Sequence, residues 1–179
     1  MLTLGVLFLK GLFLKRTTDL LHPRTASCVP CRDEFVPIPA SHLFCLACGD
    51  NHSLGLRFKT SECGVTTSVQ AKPEWQGYEG IMHGGMIATL LDAAMTHCLF
   101  HNQIEAMTAA LNVRYLAPVL CTGRIDVAAR LIRRRRLVYE LSAELRVAGE
   151  IKARADAKFM CHKNVSFPAN RTSRNAKLT

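Results

Sequence analysis

The sequence predicts an α+β domain in which one long buried helix packs against a single antiparallel sheet. Three observations carry that expectation. Residues 84–101 place apolar side chains at helical spacing with no proline among them. Two short alternating segments precede this stretch, and four more follow it, joined by short turns. A single helix set among consecutive strands is the pattern of an α+β layer pair rather than of a parallel α/β sheet.

The elements follow in order. Residues 1–40 read as an irregular extension, because Pro23, Pro30, Pro37 and Pro39 interrupt it repeatedly. Its opening, MLTLGVLFLKGLFLK, is apolar but broken by Lys10 and too short to span a bilayer. The charge falls inside and after the apolar run, which is the wrong order for a signal peptide. Stable membrane insertion is therefore not expected. A membrane-surface or targeting role for Lys10, Lys15 and Arg16 is the sharper alternative.

The main domain is expected over residues 41–162, and a basic disordered tail over 163–179. GLRFKTSE and GVTTSVQAK read as two strands around a turn near Cys63 and Gly64. PEWQGYEGIMH reads as a loop. The helix then runs from about Gly84 to His101. Met86, Ile87, Leu90, Leu91, Ala94, Met95, Cys98 and Leu99 form a doubled i, i+4 stripe. Gly85, Ala88, Thr89, Asp92, Ala93 and Thr96 form a second face of small residues around one acid. AMTAALNVRYLA, GRIDVAARLIR, RLVYELSAELRV and EIKARADAKFMC supply four strands, the last pair joined at Ala148–Gly149.

Composition narrows the function. The chain has 179 residues and a net charge of +9, but residues 41–162 carry only +3, and Arg133, Arg134, Arg135 and Arg136 supply four positive charges of that segment. A cationic surface confined to tails and one cluster argues against nucleic acid as a partner. The eight cysteines read mostly as free thiols in a reducing cytoplasm, because the predicted core needs no disulfides. Cys28-x2-Cys31 and Cys45-x2-Cys48 are spaced much like a four-cysteine structural zinc site, which stands as a minority alternative to a metal-free protein.

The chemistry concentrates in GIMHGGMIATLLDAAM. Gly84 and Gly85 follow His83 at the helix start, where the first N–H groups have no intrahelical acceptor and can stabilise a negative oxygen. A plain flexible turn would use the same residues. Asp92 lies about two turns into a buried helix, where a carboxylate is costly unless solvated, paired or functional. It is either bonded to backbone, Thr89 or Thr96, or it serves as a general base or nucleophile.

HGGMIATLLDAAM, with QGYEGIM before it and LNVRYLAPV after it, resembles the PaaI-like branch of the hotdog-fold acyl-CoA thioesterases. CLACGDNHSLGLRF resembles the opening segment of many such proteins, so the resemblance covers about residues 42–161. It implies a long central helix wrapped by a curved antiparallel sheet, a homodimer or homotetramer, and hydrolysis of acyl-CoA without metal or organic cofactor. Carried over by position, Gly84 supplies the N–H that polarises the thioester carbonyl, with Gly85 beside it. His83 shapes the turn or bonds near the thioester. Asp92 is the base or nucleophile and acts across the dimer interface. Thr108, four residues before Asn112, helps place the attacking water. Some members carry Asn or Gln six residues before the His. That place is Gly77 here, so either Gln76 substitutes or the contact is missing, and Glu79 adds an unexpected charge nearby.

The arginine cluster is either a solvated hairpin tip or a clamp for the phosphates of coenzyme A. Strand geometry puts alternate arginines on opposite faces, so not all four can touch one ligand. Trp75, Tyr78 and Met95 are expected to shape pocket depth. The competing readings are a non-catalytic hotdog protein that binds acyl-CoA or serves as a structural dimer, a zinc-linked interaction module built on residues 28–48, and a nucleic-acid binder built on the arginine cluster.

Overall fold

The computed structural model describes residues 34–50 and 52–161. Cys28, Cys31, the apolar amino-terminal stretch and the basic tail from 163 onward lie outside the described residues. Eight strands and one helix follow in order: β1 (Lys59–Ser61), β2 (Gly64–Gln70), β3 (Gln76–Tyr78), β4 (Ile81–Met82), α1 (Gly84–His101), β5 (Met107–Tyr115), β6 (Arg124–Arg135), β7 (Val138–Val147) and β8 (Glu150–Met160). The helix begins and ends where its periodicity says it should. His83 caps its start and Asn102 closes its end.

Six strands form one antiparallel sheet in the order β1-β2-β6-β7-β8-β5. Short turns make this order possible. Ala148 and Gly149 both adopt positive φ (49° and 82°), the geometry of a tight two-residue hairpin turn between β7 and β8. Arg136 has φ 51° in the turn between β6 and β7. Alternation sets the inner face: Ile125, Val127 and Ala129 of β6, Tyr139, Leu141, Ala143 and Leu145 of β7, and Ala153, Ala155, Ala157 and Phe159 of β8 are all buried.

Helix α1 lies across this face, packed chiefly on β6 and β7. Leu90, Leu91, Ala94, Met95 and Leu99 are completely buried. Each large one contributes roughly 1.5–3 kcal/mol of transfer free energy. The other side of the helix is covered by the segment before β1. Phe58 stacks on His97 at 4.4 Å, and His42 meets Phe100 edge-on at 4.7 Å. Residues 34–36 also join the packed body: Val36 donates to Phe58 O (2.8 Å), and Thr60 donates to Glu34 O (3.1 Å).

The loop expected at 73–83 is more structured than its sequence suggests. Pro73–Trp75 forms a single 3-10 turn, and β3 and β4 form a small hairpin. Strands of three and two residues are too short to show alternation. Their order comes from tertiary contacts: Met82 donates to Val119 O (2.8 Å) and Cys121 donates to Gly80 O (2.9 Å).

Candidate functional site

The site is built around the first turn of α1 and the middle of its small-residue face. His83 has extended backbone (φ −62°, ψ 135°), and its Nδ1 accepts the Gly85 N–H at 2.9 Å. This side-chain cap satisfies one of the helix's orphan donors. It also explains the second glycine, since a Cβ at position 85 would stand 2.9 Å from His83 Nδ1. Gly85 therefore has its N–H engaged within the turn.

Gly84 has no acceptor for its N–H among the described residues. Its carbonyl accepts from Tyr115 Oη at 3.0 Å, which fixes the plane of the Gly84–Gly85 peptide. Sequence reasoning missed Tyr115, although its place in the LNVRYLAPV motif was a signal. Gly77 packs against the histidine: a Cβ there would lie 3.0 Å from His83 Cδ2. A long amide at this position would displace the ring, so the departure at Gly77 is matched to how His83 sits. Gln76 is exposed, and its Oε1 accepts the Gly80 N–H at 3.1 Å, so the oxygen closes the β3–β4 hairpin. Glu79 is exposed in the same turn.

Asp92 is half-buried and faces a cavity of about 200 Å³. Thr89, Ala93, Thr96 and His97 of α1 line that cavity, and His42, Cys45, Leu46, Ala47 and Cys48 form its opposite wall. The small face read from the sequence is thus the face that leaves room for a ligand. Thr108 Oγ1 donates to Asp92 Oδ1 at 2.8 Å. Thr89 instead bonds its own helix, donating to Gly85 O at 2.9 Å. Burial raises the Asp92 carboxyl above the usual carboxylate range, and the Thr108 hydroxyl pulls it partly back by favouring the charged form. His97 is completely buried, and burial, then His42 and Arg57, holds its imidazole down to about 4, so it is neutral.

Several expected residues stand elsewhere. Asn112 pairs in register with Asp156 of β8, while Thr108 pairs with the inward-facing Phe159. Cross-strand partners share a face, so Asn112 lies on the opposite side of the sheet from Thr108. A bulge between Thr108 and Ala110 changes the alternation. Trp75 and Met95 are core residues, Tyr78 is on the surface, and none of the three lines the Asp92 cavity.

The arginines divide as strand geometry requires. Arg133 makes a two-pronged pair with Glu140 (2.9 and 2.8 Å), and Arg134 lies over the Tyr139 ring at 5.5 Å. Arg135 and Arg136 continue to the hairpin tip. Among the described residues, His42, Cys45 and Cys48 form the one group of His, Cys and acidic side chains placed closely enough to hold a metal ion. Cys45 and Cys48 thus have a nearby third donor that was not part of the four-cysteine reading. His42, at the same three-residue spacing, was the overlooked signal.

The comparisons with known proteins agree with this architecture. The family model described as the thioesterase superfamily matches residues 79–153, from the β3–β4 turn into β8. An uncharacterized protein of Schizosaccharomyces pombe (strain 972 / ATCC 24843) is 44% identical over 56 residues, a match covering 30% of this chain and 32% of that protein. The chain therefore matches about a third of the length of that curated relative. Among solved structures, a putative thioesterase related to phenylacetic acid degradation from Ralstonia eutropha JMP134 superposes with a TM-score of 0.56 at 26% identity, covering 70% of this chain and 92% of its own. A hypothetical thioesterase from Streptococcus pneumoniae TIGR4, solved with coenzyme A, gives 0.55 at 16% identity, covering 57% and 83%. One long helix on a six-stranded antiparallel sheet, with the stretch similar to the thioesterase superfamily spanning the helix and its flanking strands, gives this chain the hotdog fold.

Proposed function

We propose that this protein hydrolyses an acyl-CoA thioester to the free acid and coenzyme A. The observation that carries the reading is Asp92: a half-buried carboxylate, held by Thr108, facing a cavity from a helix that opens with an unengaged N–H at Gly84. The carboxylate takes a proton from water as that water attacks the thioester carbon, or attacks the carbon itself. Thr108 donates its proton to Asp92, which leaves its oxygen lone pairs free to accept from the attacking water. The Gly84 N–H stabilises the negative oxygen of the tetrahedral intermediate.

Gly84 and Asp92 are eight residues apart on one helix, about 12 Å along its axis. One thioester carbonyl cannot reach both groups of the same chain. The reading therefore requires a second copy, with Gly84 of one protomer and Asp92 of the other forming each site. Among the described residues β5 is an edge strand, with Leu111, Tyr115 and Met107 exposed along it, which supports such an assembly. A homodimer is the minimum and a homotetramer is compatible. The coenzyme A bound by the Streptococcus pneumoniae protein supports the choice of thioester. Arg135 and Arg136, which face no acid in an ion pair among the described residues, are the arginines best placed to meet its phosphates. The six described cysteines are all free, which fits a reducing compartment such as the cytoplasm. No helix among the described residues is long and apolar enough to cross a membrane.

The test is a hydrolysis screen over short, medium, long and aryl acyl-CoAs. Asp92→Asn should bind substrate and lose roughly 10²–10⁴-fold in kcat. No turnover on any acyl-CoA by the wild type would leave only the non-catalytic binding protein. Subunit sharing has its own test. Gly84→Pro removes the N–H at the first helical position, which tolerates proline, and His83 already has the extended backbone that a following proline requires. Gly84→Pro and Asp92→Asn should each be inactive alone. Re-paired together, they should regain roughly a quarter of wild-type activity, because each mixed dimer restores one intact site. No recovery would sink the shared site.

A further inference from the structure

Residues 42–49 fold into a turn that belongs to no strand and no long helix, yet it is closely built. Gly49 donates to Cys45 O at 2.8 Å, and Asp50 donates to Leu43 O at 3.1 Å. The chain doubles back so tightly that a Cβ at Gly49 would stand 2.6 Å from Leu43 O and 2.7 Å from Cys45 O, both backbone atoms. Arg57 Nη1 donates to Cys48 O at 2.8 Å and keeps a cation beside the turn.

This turn brings one imidazole and two thiols together. The ligand atoms of His42, Cys45 and Cys48 all lie within 4.8 Å of one another. His42 Nδ1 and Cys48 Sγ are 3.8 Å apart; ordinary Zn–N and Zn–S bonds at a tetrahedral angle set that separation at about 3.6 Å. The Ala47 N–H points at Cys45 Sγ at 3.4 Å, a backbone donor of the kind that supports a thiolate ligand. A second observation comes from the facing helix. His97 is 1% exposed, neither of its ring nitrogens has a partner among the described residues, and it lines the same cavity as the two thiols. A buried imidazole with neither nitrogen bonded is costly in a purely apolar role.

We propose that His42, Cys45 and Cys48 bind one zinc ion, with its fourth position toward the cavity that His97 lines. Two thiolates and an imidazole select a thiophilic ion such as zinc over magnesium or calcium. The ion clasps the turn 42–49 in place as the wall that faces Asp92. Its role is structural and independent of the hydrolysis reading: the acid and the unengaged N–H are supplied by other residues.

The test uses the full chain, purified without chelator. Elemental analysis should find about one zinc per chain, held by three protein ligands with a solvent molecule in the fourth position. His42→Ala, Cys45→Ser and Cys48→Ser should each lose most of it. Asp92→Asn should keep it, whatever happens to turnover, so the two readings fail separately. Chelator-treated wild type titrated with cobalt should develop a thiolate-to-cobalt charge-transfer band, and its melting temperature should rise as metal returns. That arm holds even if a cysteine variant does not fold. A wild type that is metal-free and takes up no cobalt overturns the proposal. So does loss of zinc in Cys28→Ser/Cys31→Ser with retention in His42→Ala, an outcome that assigns the metal to four cysteines instead.

Discussion

Asp92 shows how one residue's surroundings set its chemistry. Burial pushes its carboxyl up, and the Thr108 hydroxyl, bonded to the charged form, pulls it back. Hydrolysis in the proposed mechanism needs the carboxylate, so activity falls as pH drops through this raised value. Thr108→Val removes the donor that favours the charge, so the carboxyl rises further and the acid limb of kcat/KM moves to higher pH. Thr108→Ser should leave the limb near its original place. An unmoved limb in Thr108→Val would show that Asp92 is not the titrating group. Asp92 was legible as a candidate, because a lone acid on the small-residue face of an otherwise apolar helix is conspicuous. Its partner was not, because residues 92 and 108 meet only through the fold. Elimination by spacing pointed to Thr89 or Thr96 as readily.

The helix start is the element whose sequence and structure agree most closely. His83 caps, Gly85 makes room for the cap, and Gly84 leaves one N–H unengaged. The strand pair β2–β6 depends on a different glycine. Gly64 pairs so closely with β6 that an added Cβ would sit 2.0 Å from Ala129 O. The clash is with backbone, which cannot rotate away. Gly64→Ala should destabilise the protein by roughly 3 kcal/mol, the upper end for overpacking, read as a lowered denaturation midpoint. Gly123, whose added Cβ would meet nothing but whose φ is 81°, should be affected through backbone strain alone. The small hairpin β3–β4 was not legible. Its order comes from pairing with residues 119–121, far along the chain.

At the scale of the whole fold, β5 stands at the edge of the sheet among the described residues, and of its side chains only Val113 is partly covered there. Leu111 and Tyr115 pair in register with the buried Ala157 and Ala153, yet both are exposed. A second copy on this edge would cover them and bring the two halves of the proposed site together. Leu111→Lys should therefore shift the protein toward monomer in sedimentation or light scattering. Activity should fall in step, although Asp92 and Thr108 are untouched. A fully active monomer would reject the shared site.

The sequence by itself determined the fold class, the helix from Gly84 to His101 and the strands that alternate over seven residues or more, and it singled out Gly84 and Asp92 as the candidates for chemistry. Those features are written in local periodicity and in residues whose backbone or burial requirements stand out alone. Only the tertiary structure decided which side of the sheet Asn112 occupies, that Thr108 meets Asp92, that Tyr115 holds the Gly84 carbonyl, and that His42 joins Cys45 and Cys48. Bulges shift register by a single residue and send side chains to the other face. Contacts across dozens of residues depend on where the sheet carries each strand, and no short-range pattern records that.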